Sequence, residues 1–365
     1  MRFLLFSDRV RALLITLLVS VFNLSPLLGQ DETRFVQLGQ DIAGRDSQDC
    51  SGRSVSLSAD GNRMAVGAPG AWGGIAEESP GYVGVYEWSE KSWVQLGENI
   101  VGEQAGDRSG WSVSLSADGN RVAIGAPYYQ GVDGQRVQGL VRIYEWSGKN
   151  WVQIGGDIID APATTRDWFG WHVTLGAGGR RVAIGSFRTD RTTNGPQAGV
   201  RIYEQSGNRW NQLGASLMQD TIGGEVRFNV SLSIDGSRVA IGAPHSIRSF
   251  GALTDGEVRI YEWSENRNRW RQIGEAIGGV ELGGRNAPES GAGVCLSADG
   301  NRVAVGVRGP YQTGSGHLRI YEWSGSRWLQ IGEDIDGDSN DAYGLSVSLS
   351  ANGNRVATGG TGNCA

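Results

Sequence analysis

Three histidines, three cysteines and two series of aspartates are the side chains of this 365-residue chain whose types could support chemistry. Catalysis needs dissimilar groups gathered at one place. His172, His245 and His317 fall at different phases of the pattern described below, and a lone pair such as His245 and His317 defines no site. No H-E-x-x-H, C-x-x-C or G-x-S-x-G run occurs, so the signals of a zinc protease, a thiol redox pair and a serine hydrolase are missing. One aspartate series, Asp60, Asp118, Asp235 and Asp299, directly precedes glycine and reads as turn residues. The other, Asp49, Asp107, Asp167 and Asp341, stands three residues before a glycine. One carboxylate per repeat could gather cations, and the plainer role is a hydrogen bond that closes each loop on its own backbone.

Aromatic and cationic side chains concentrate in the variable stretches that follow each G-A-P or its equivalent. Trp72, Tyr128, Tyr129, Phe187, His245 and Tyr311 fall there, flanked by Arg188 and Arg308. Exposed aromatics beside arginine are what binding hot spots use, and loops on a rigid scaffold commonly carry function. The same side chains serve equally well to pack long loops down.

The elements that must position these loops come from an internal repeat. W-x-Q-[LI]-G, then S-V-S-L-S-A-D-G-N-R-V-A-I-G-A-P, then V-R-I-Y-E-W-S recur, with units beginning at Phe35, Trp93, Trp151, Trp210, Trp270 and Trp328. Fixed self-similarity of this kind sets the architecture. Ser112 to Ser116 alternates apolar and polar residues, the period of a strand with one packed face. Asp118-Gly119 is expected to make a two-residue hairpin turn. Arg121 to Gly125 reads as a buried second strand, Val141 to Trp146 as a third, and Trp151 to Ile158 as a fourth. Trp88, Trp146, Trp263 and Trp323 recur at one strand position and read as structural. The predicted fold is therefore all-β, a β-propeller of four-stranded antiparallel blades. Counting strands gives six blades, the last incomplete or closed by the N-terminal Phe35 strand, with a truncated seven-bladed protein as the alternative.

The fixed spacing of an aromatic-glycine or serine-glycine step and a G-A-P resembles the FG-GAP repeat of integrin α-subunit propellers. Ser109-Gly110, Phe169-Gly170 and Tyr343-Gly344 carry the first half, and Gly67-Ala68-Pro69, Gly125-Ala126-Pro127 and Gly242-Ala243-Pro244 the second. The resemblance implies an extracellular propeller used in adhesion or ligand binding. That family also places calcium cages between the first two strands, but the connection here is only S-A-D-G-N-R. Calcium needs six to eight oxygens, so no metal or other cofactor is expected.

Residues 1–29 have the form of a cleaved signal peptide, with Arg2, Arg9 and Arg11 ahead of a short apolar run and Gly29 before the mature chain. Removing three of the 33 basic and one of the 39 acidic residues leaves a net charge of −8. No basic stripe is present, which argues against a nucleic-acid partner, and no later segment is apolar enough to span a membrane. Export permits disulfides. Cys295 reads as a small buried apolar residue, and Cys50 and Cys364 either clasp the ring as a disulfide or remain two unrelated thiols.

The sequence reading is thus a secreted or cell-surface binding or adhesion module for a protein or glycan, without enzymatic activity. A propeller enzyme (glycosidase or lyase) with a non-repeated site is the alternative, and a structural matrix component is a third.

Overall fold

The computed structural model describes residues 3–5, 13–15, 37–46, 48–70, 79–130, 139–159, 168–188, 199–218, 226–244, 246–247, 253–254, 256–278, 289–308, 316–337 and 342–361. The described residues are almost wholly β, with a single 3-10 turn at Glu265–Arg267. They divide into a first unit, Met1–Thr16, Ser25–Ser186 and Tyr203–Asn211, and a second, Leu17–Leu24, Phe187–Ile202 and Gln212–Ala365. Of the predicted signal segment only Phe3–Leu5, paired antiparallel with Leu13–Ile15, is described. Phe35 and Cys364, on which the expected ring closure and disulfide depend, lie outside the described residues. Among the described residues no helix is long and apolar enough to cross a membrane.

In the first unit, repeat one supplies Ser54–Leu57, Arg63–Ala68, Tyr82–Ser89 and Ser92–Gln95, hydrogen-bonded in that order as an antiparallel sheet. Repeat two does the same with Ser112–Leu115, Arg121–Ala126, Leu140–Trp146 and Trp151–Gln153. The expected long fourth strand is broken. Its second piece, Ile158–Ile159, pairs separately with the same third strand, because Gly155 adopts φ +71 and turns the chain between them. The hairpin turn also differs from expectation. It is a longer loop closed by the Ser116 and Arg121 backbones, in which only Gly119 has positive φ. Asp118 instead accepts from the Ser116 hydroxyl at 2.6 Å and from the Asn120 N–H at 3.0 Å, so its carboxylate fixes the turn.

Valine and isoleucine on the second and third strands form the core between successive sheets. Ala123, Val141, Ile143, Val182 and Ile184 are fully buried together with Phe169 and Val173. Each such side chain contributes roughly 1.5–3 kcal/mol. Trp146 stacks on Trp151 at 5.4 Å, and the Trp151 indole donates to the Leu96 carbonyl one repeat back, at 2.9 Å. Trp210, Trp270 and Trp328 donate in the same way to the Ile154, Leu213 and Ile273 carbonyls, so this tryptophan series fastens each repeat to the one before it.

The serines of S-V-S-L-S have a role that alternation alone does not reveal. Ser56 accepts from the Leu115 N–H, and Ser114 from the Leu175 N–H, both at 2.9 Å. First strands of neighbouring repeats are thus laced by side chain rather than by ladder.

In the second unit, Asn229–Leu232, Arg238–Ala243, Glu257–Ser264 and Arg269–Gln272 form one sheet of the same order, and Glu289–Leu296, Arg302–Arg308, His317–Trp323 and Trp328–Gln330 another. Ala342–Leu349 and Val356–Thr361 form a two-stranded sheet. The lacing recurs, Ser231 accepting from the Leu296 N–H. Cys295 takes the serine position and accepts from the Leu349 N–H at 3.2 Å. Its expected role as a plain apolar filler is corrected accordingly: the sulfur stands in for a hydroxyl oxygen.

Candidate functional site

The glycine steps are explained by backbone approach. A Cβ on Gly125, in the second strand of repeat two, would run into the carbonyl oxygen of Gly170 in the next repeat, and one on Gly67 into that of Gly110. Each x-G step bears directly on the preceding repeat's G-A-P, and this close contact fixes where the residues around the step must point.

The residue two places before the step's glycine takes a left-handed backbone at Cys50 (φ 52), Arg108 (φ 57) and Trp168 (φ 29), a conformation that costs energy in non-glycine residues. The residue after the glycine is Arg53, Trp111 and Trp171 in repeats one to three. These three stack in order. The Arg53 guanidinium lies 4.3 Å from the Trp111 ring centre, and Trp111 lies 4.7 Å from Trp171. A second row runs alongside, with the Arg108 guanidinium 5.1 Å from the Tyr128 ring and Tyr128 5.6 Å from Trp168. Trp111–Tyr128 at 5.8 Å and Trp168–Trp171 at 6.4 Å join the rows.

Arg108 is buried and donates to the Gly70 carbonyl at 3.1 Å. Trp111 is buried, Trp168, Trp171 and Tyr128 are half-buried, and Arg53 is exposed. The result is a partly open aromatic bed with a guanidinium at one end of each row. Flat π faces stack on the C–H faces of sugar rings or on cations, and guanidinium pairs with carboxylate or phosphate.

His172 follows Trp171 at the start of its strand. Burial, reinforced by the Arg53 charge, lowers its pKa to about 4. The imidazole is therefore neutral throughout the physiological range.

The aspartates before the glycine step close their loops. Asp49 accepts from the Arg45 and Ser51 N–H groups at 2.5 and 2.8 Å, and Asp107 from the Gln104 N–H at 2.9 Å. Burial raises the Asp107 pKa, whereas hydrogen bonds from Tyr82 and from backbone outweigh burial at Asp49 and lower it. Asp167 and Asp341 lie outside the described residues.

Of the loop residues expected to bind, Tyr128 alone among the described residues lies in the bed. Tyr129 is buried with Ala126 and Leu140 and packs its own loop. In the second unit, Phe187 is buried under the Arg227 guanidinium, 5.0 Å from its ring. Arg188 lies on the same short strand, and Arg308 ends a strand and is half-buried. Trp72, His245 and Tyr311 lie outside the described residues. Arg53, Trp111, Trp168 and Trp171 stand before the first strand of their repeats, outside the stretch after G-A-P where aromatic and cationic residues concentrate. The signal was present in S-G-W-S and F-G-W-H.

No family model and no curated protein matches the chain. Solved structures do. A putative 6-phosphogluconolactonase from Bacteroides uniformis is 12% identical with a TM-score of 0.52, covering 88% of this chain and 79% of that one. The periplasmic gluconolactonase PpgL of Pseudomonas aeruginosa is 14% identical with a TM-score of 0.49, covering 78% and 73%. The β-propeller domain of Cps50 (Swd1) from Myceliophteria thermophila is 11% identical with a TM-score of 0.40, covering 84% and 96%.

The chain thus has a β-propeller fold, and two sequence expectations change. Membership of the FG-GAP integrin type is overturned, since no family model matches and the fold is shared with a structure described as a putative 6-phosphogluconolactonase. The glycine steps that suggested it answer a packing need between repeats. The expectation of a non-enzyme is overturned as well. A fold found in a structure described as a lactonase gives the shared repeat, which lacks catalytic groups, no weight against activity at a non-repeated place.

Proposed function

We propose that the chain is an exported six-bladed propeller enzyme that hydrolyses a small carbohydrate-derived ester, of the lactone class, held on the Trp111–Trp171 and Tyr128–Trp168 rows. The observation that carries this reading is the convergence of two arginine-capped aromatic rows, neither continued through the other repeats, with His172 next to Trp171 in the chain and within the field of the Arg53 charge. The fold shared with a lactonase-described structure adds the substrate class.

In the proposed step the sugar ring stacks on the indoles. His172 takes a proton from water as the water oxygen attacks the acyl carbon. The Arg53 guanidinium stabilises the developing oxyanion. The acyl C–O bond then breaks, the departing ring oxygen takes the proton from His172, and the product is a hydroxy acid. The step uses water and two side chains and draws on no cofactor. The partner is a small carbohydrate derivative, in keeping with a net acidic chain that offers nucleic acid no basic stripe.

The test is steady-state kinetics on a panel of five- and six-membered sugar lactones. H172Q is expected to lower kcat about 100-fold with little change in KM, a loss typical of removing a general base. W171A is expected to raise KM about tenfold at similar kcat, because it removes a stacking face. Equal rates for wild type and H172Q would remove the imidazole from the mechanism.

A further inference from the structure

The repeat length of 58 residues between the first two units allows each position of repeat two to be compared with its counterpart in repeat one, all within the first unit. In repeat two, Arg142 on the third strand is nearly buried. It donates to both oxygens of Asp157 at 2.7 Å and contacts Glu103 at 2.8 Å. Arg319 and Asp334 repeat the bidentate pair in the second unit. Fifty-eight residues before Arg142, Asp157 and Glu103 stand Gly84, Asn99 and Arg45. The buried arginine is erased, its carboxylate partner becomes an amide, and the second carboxylate becomes a cation.

What the change leaves is a cleft of about 560 Å³, lined by Arg45, Tyr82, Tyr86, Gln95, Glu98 and Asn99 among others. Tyr86 leans over the strand where the arginine would start, so that a Cβ on Gly84 would stand 2.9 Å from its ring and hydroxyl. Tyr82 replaces Leu140 of repeat two. Its hydroxyl donates to Asp49 at 2.5 Å, accepts from the Arg45 N–H at 3.2 Å, and supports the Arg45 guanidinium 4.6 Å from its ring. Burial and the Asp49 carboxylate raise the Tyr82 pKa to about 12, so the phenol keeps its proton and the support is constant across physiological pH. Gln95 donates to Asn99 at 2.6 Å. Glu98, where repeat two has Gly156, is exposed.

We infer that this cleft is a second ligand site, for a small anionic sugar such as a sugar acid. Arg45 pairs with the anionic group, Tyr82 and Tyr86 offer ring faces, and Gln95, Asn99 and the Glu98 carboxylate take the hydroxyls. The inference stands apart from the reaction proposed above, since none of its lining residues belongs to the aromatic rows.

Rebuilding the ion-pair set of repeat two inside repeat one provides the test. Binding of D-gluconate, glucose 6-phosphate and neutral glucose to the full chain is measured by titration calorimetry, for wild type, R45M and the triple variant R45E/G84R/N99D. Gluconate or glucose 6-phosphate is expected to bind at least tenfold more tightly than glucose, the preferred one distinguishing carboxylate from phosphate. R45M is expected to weaken that ligand at least tenfold. The triple variant, in which Tyr86 must give way to the new Cβ at position 84, is expected to fold and to bind neither anion. Equal affinity for glucose, anion binding unchanged in a folded triple variant, or no binding to wild type would each overturn the inference. H172Q is expected to bind the anion as wild type does, which separates this site from the reaction.

Discussion

Alanine at Gly125 is expected to lower the unfolding free energy by more than about 3 kcal/mol, a value at the upper end for single substitutions. The added Cβ would run into the Gly170 carbonyl, with the Gly170 Cα close behind. Neither is the end of a flexible side chain, so the two sheets must move apart. Moving apart unpacks Val141, Phe169 and Val173 beside them. Gly156 is the control. A Cβ there meets nothing within 4 Å, and its alanine variant is expected to stay within about 0.5 kcal/mol of wild type. Urea unfolding followed by tryptophan fluorescence checks both. Equal midpoints for the two variants would mean that the repeats do not pack glycine against glycine.

Acid is expected to destabilise the protein well above the range in which carboxylates titrate, through His172. Its folded pKa is about 4 against an ordinary 6.5, so the unfolded chain binds the proton first. Between about pH 6.5 and 4 the unfolded state carries more protons, and stability falls as pH falls. Above pH 6.5 none of this stability is lost, and the loss reaches about 3 kcal/mol by the time the pH has fallen to the folded pKa. His317 is lowered in the same direction, mainly by burial, and Asp107 is raised and acts in the opposite sense. The difference between wild type and H172Q cancels both. Melting temperatures from pH 8 to 4 should fall steeply for wild type and more shallowly for H172Q. Parallel curves would place the imidazole in water.

The repeat made the strand order legible because alternation, Asp-Gly turns and recurring tryptophans agree on one answer. Ser112–Leu115 and Arg121–Ala126 lie where the pattern put them. The break before Ile158 was hidden because a glycine at positive φ looks, in sequence, like any other glycine of W-x-Q-x-G. The meaning of the glycine steps was hidden for a related reason. A residue chosen for the absence of a side chain gives no sign of which backbone it must admit. A family resemblance filled that gap, and the packing of Gly67 on Gly110 and Gly125 on Gly170 replaces it.

The candidate site was legible only in part. Tyr128 was singled out, but its partners Trp111, Trp168 and Trp171 stand in the loop before the first strand rather than in the one after the second. Stacking across three repeats brings them together, and no spacing rule within one repeat reports it. The cleft of repeat one is the opposite case. Gly84, Asn99 and Arg45 are plain in an alignment of the chain with itself, but they gain meaning only once Arg142 is seen to be buried between two carboxylates.

The proposed activity is tested most directly by acid release from sugar lactones in weakly buffered solution, with purified 30–365 against buffer alone. The account predicts catalysed opening of at least one lactone, saturable in substrate, constant from pH 8 to about 5 and falling toward pH 4 as His172 takes up its proton. Lactone binding with no acid release above the uncatalysed rate would contradict it, and would leave the aromatic rows as a recognition surface without chemistry.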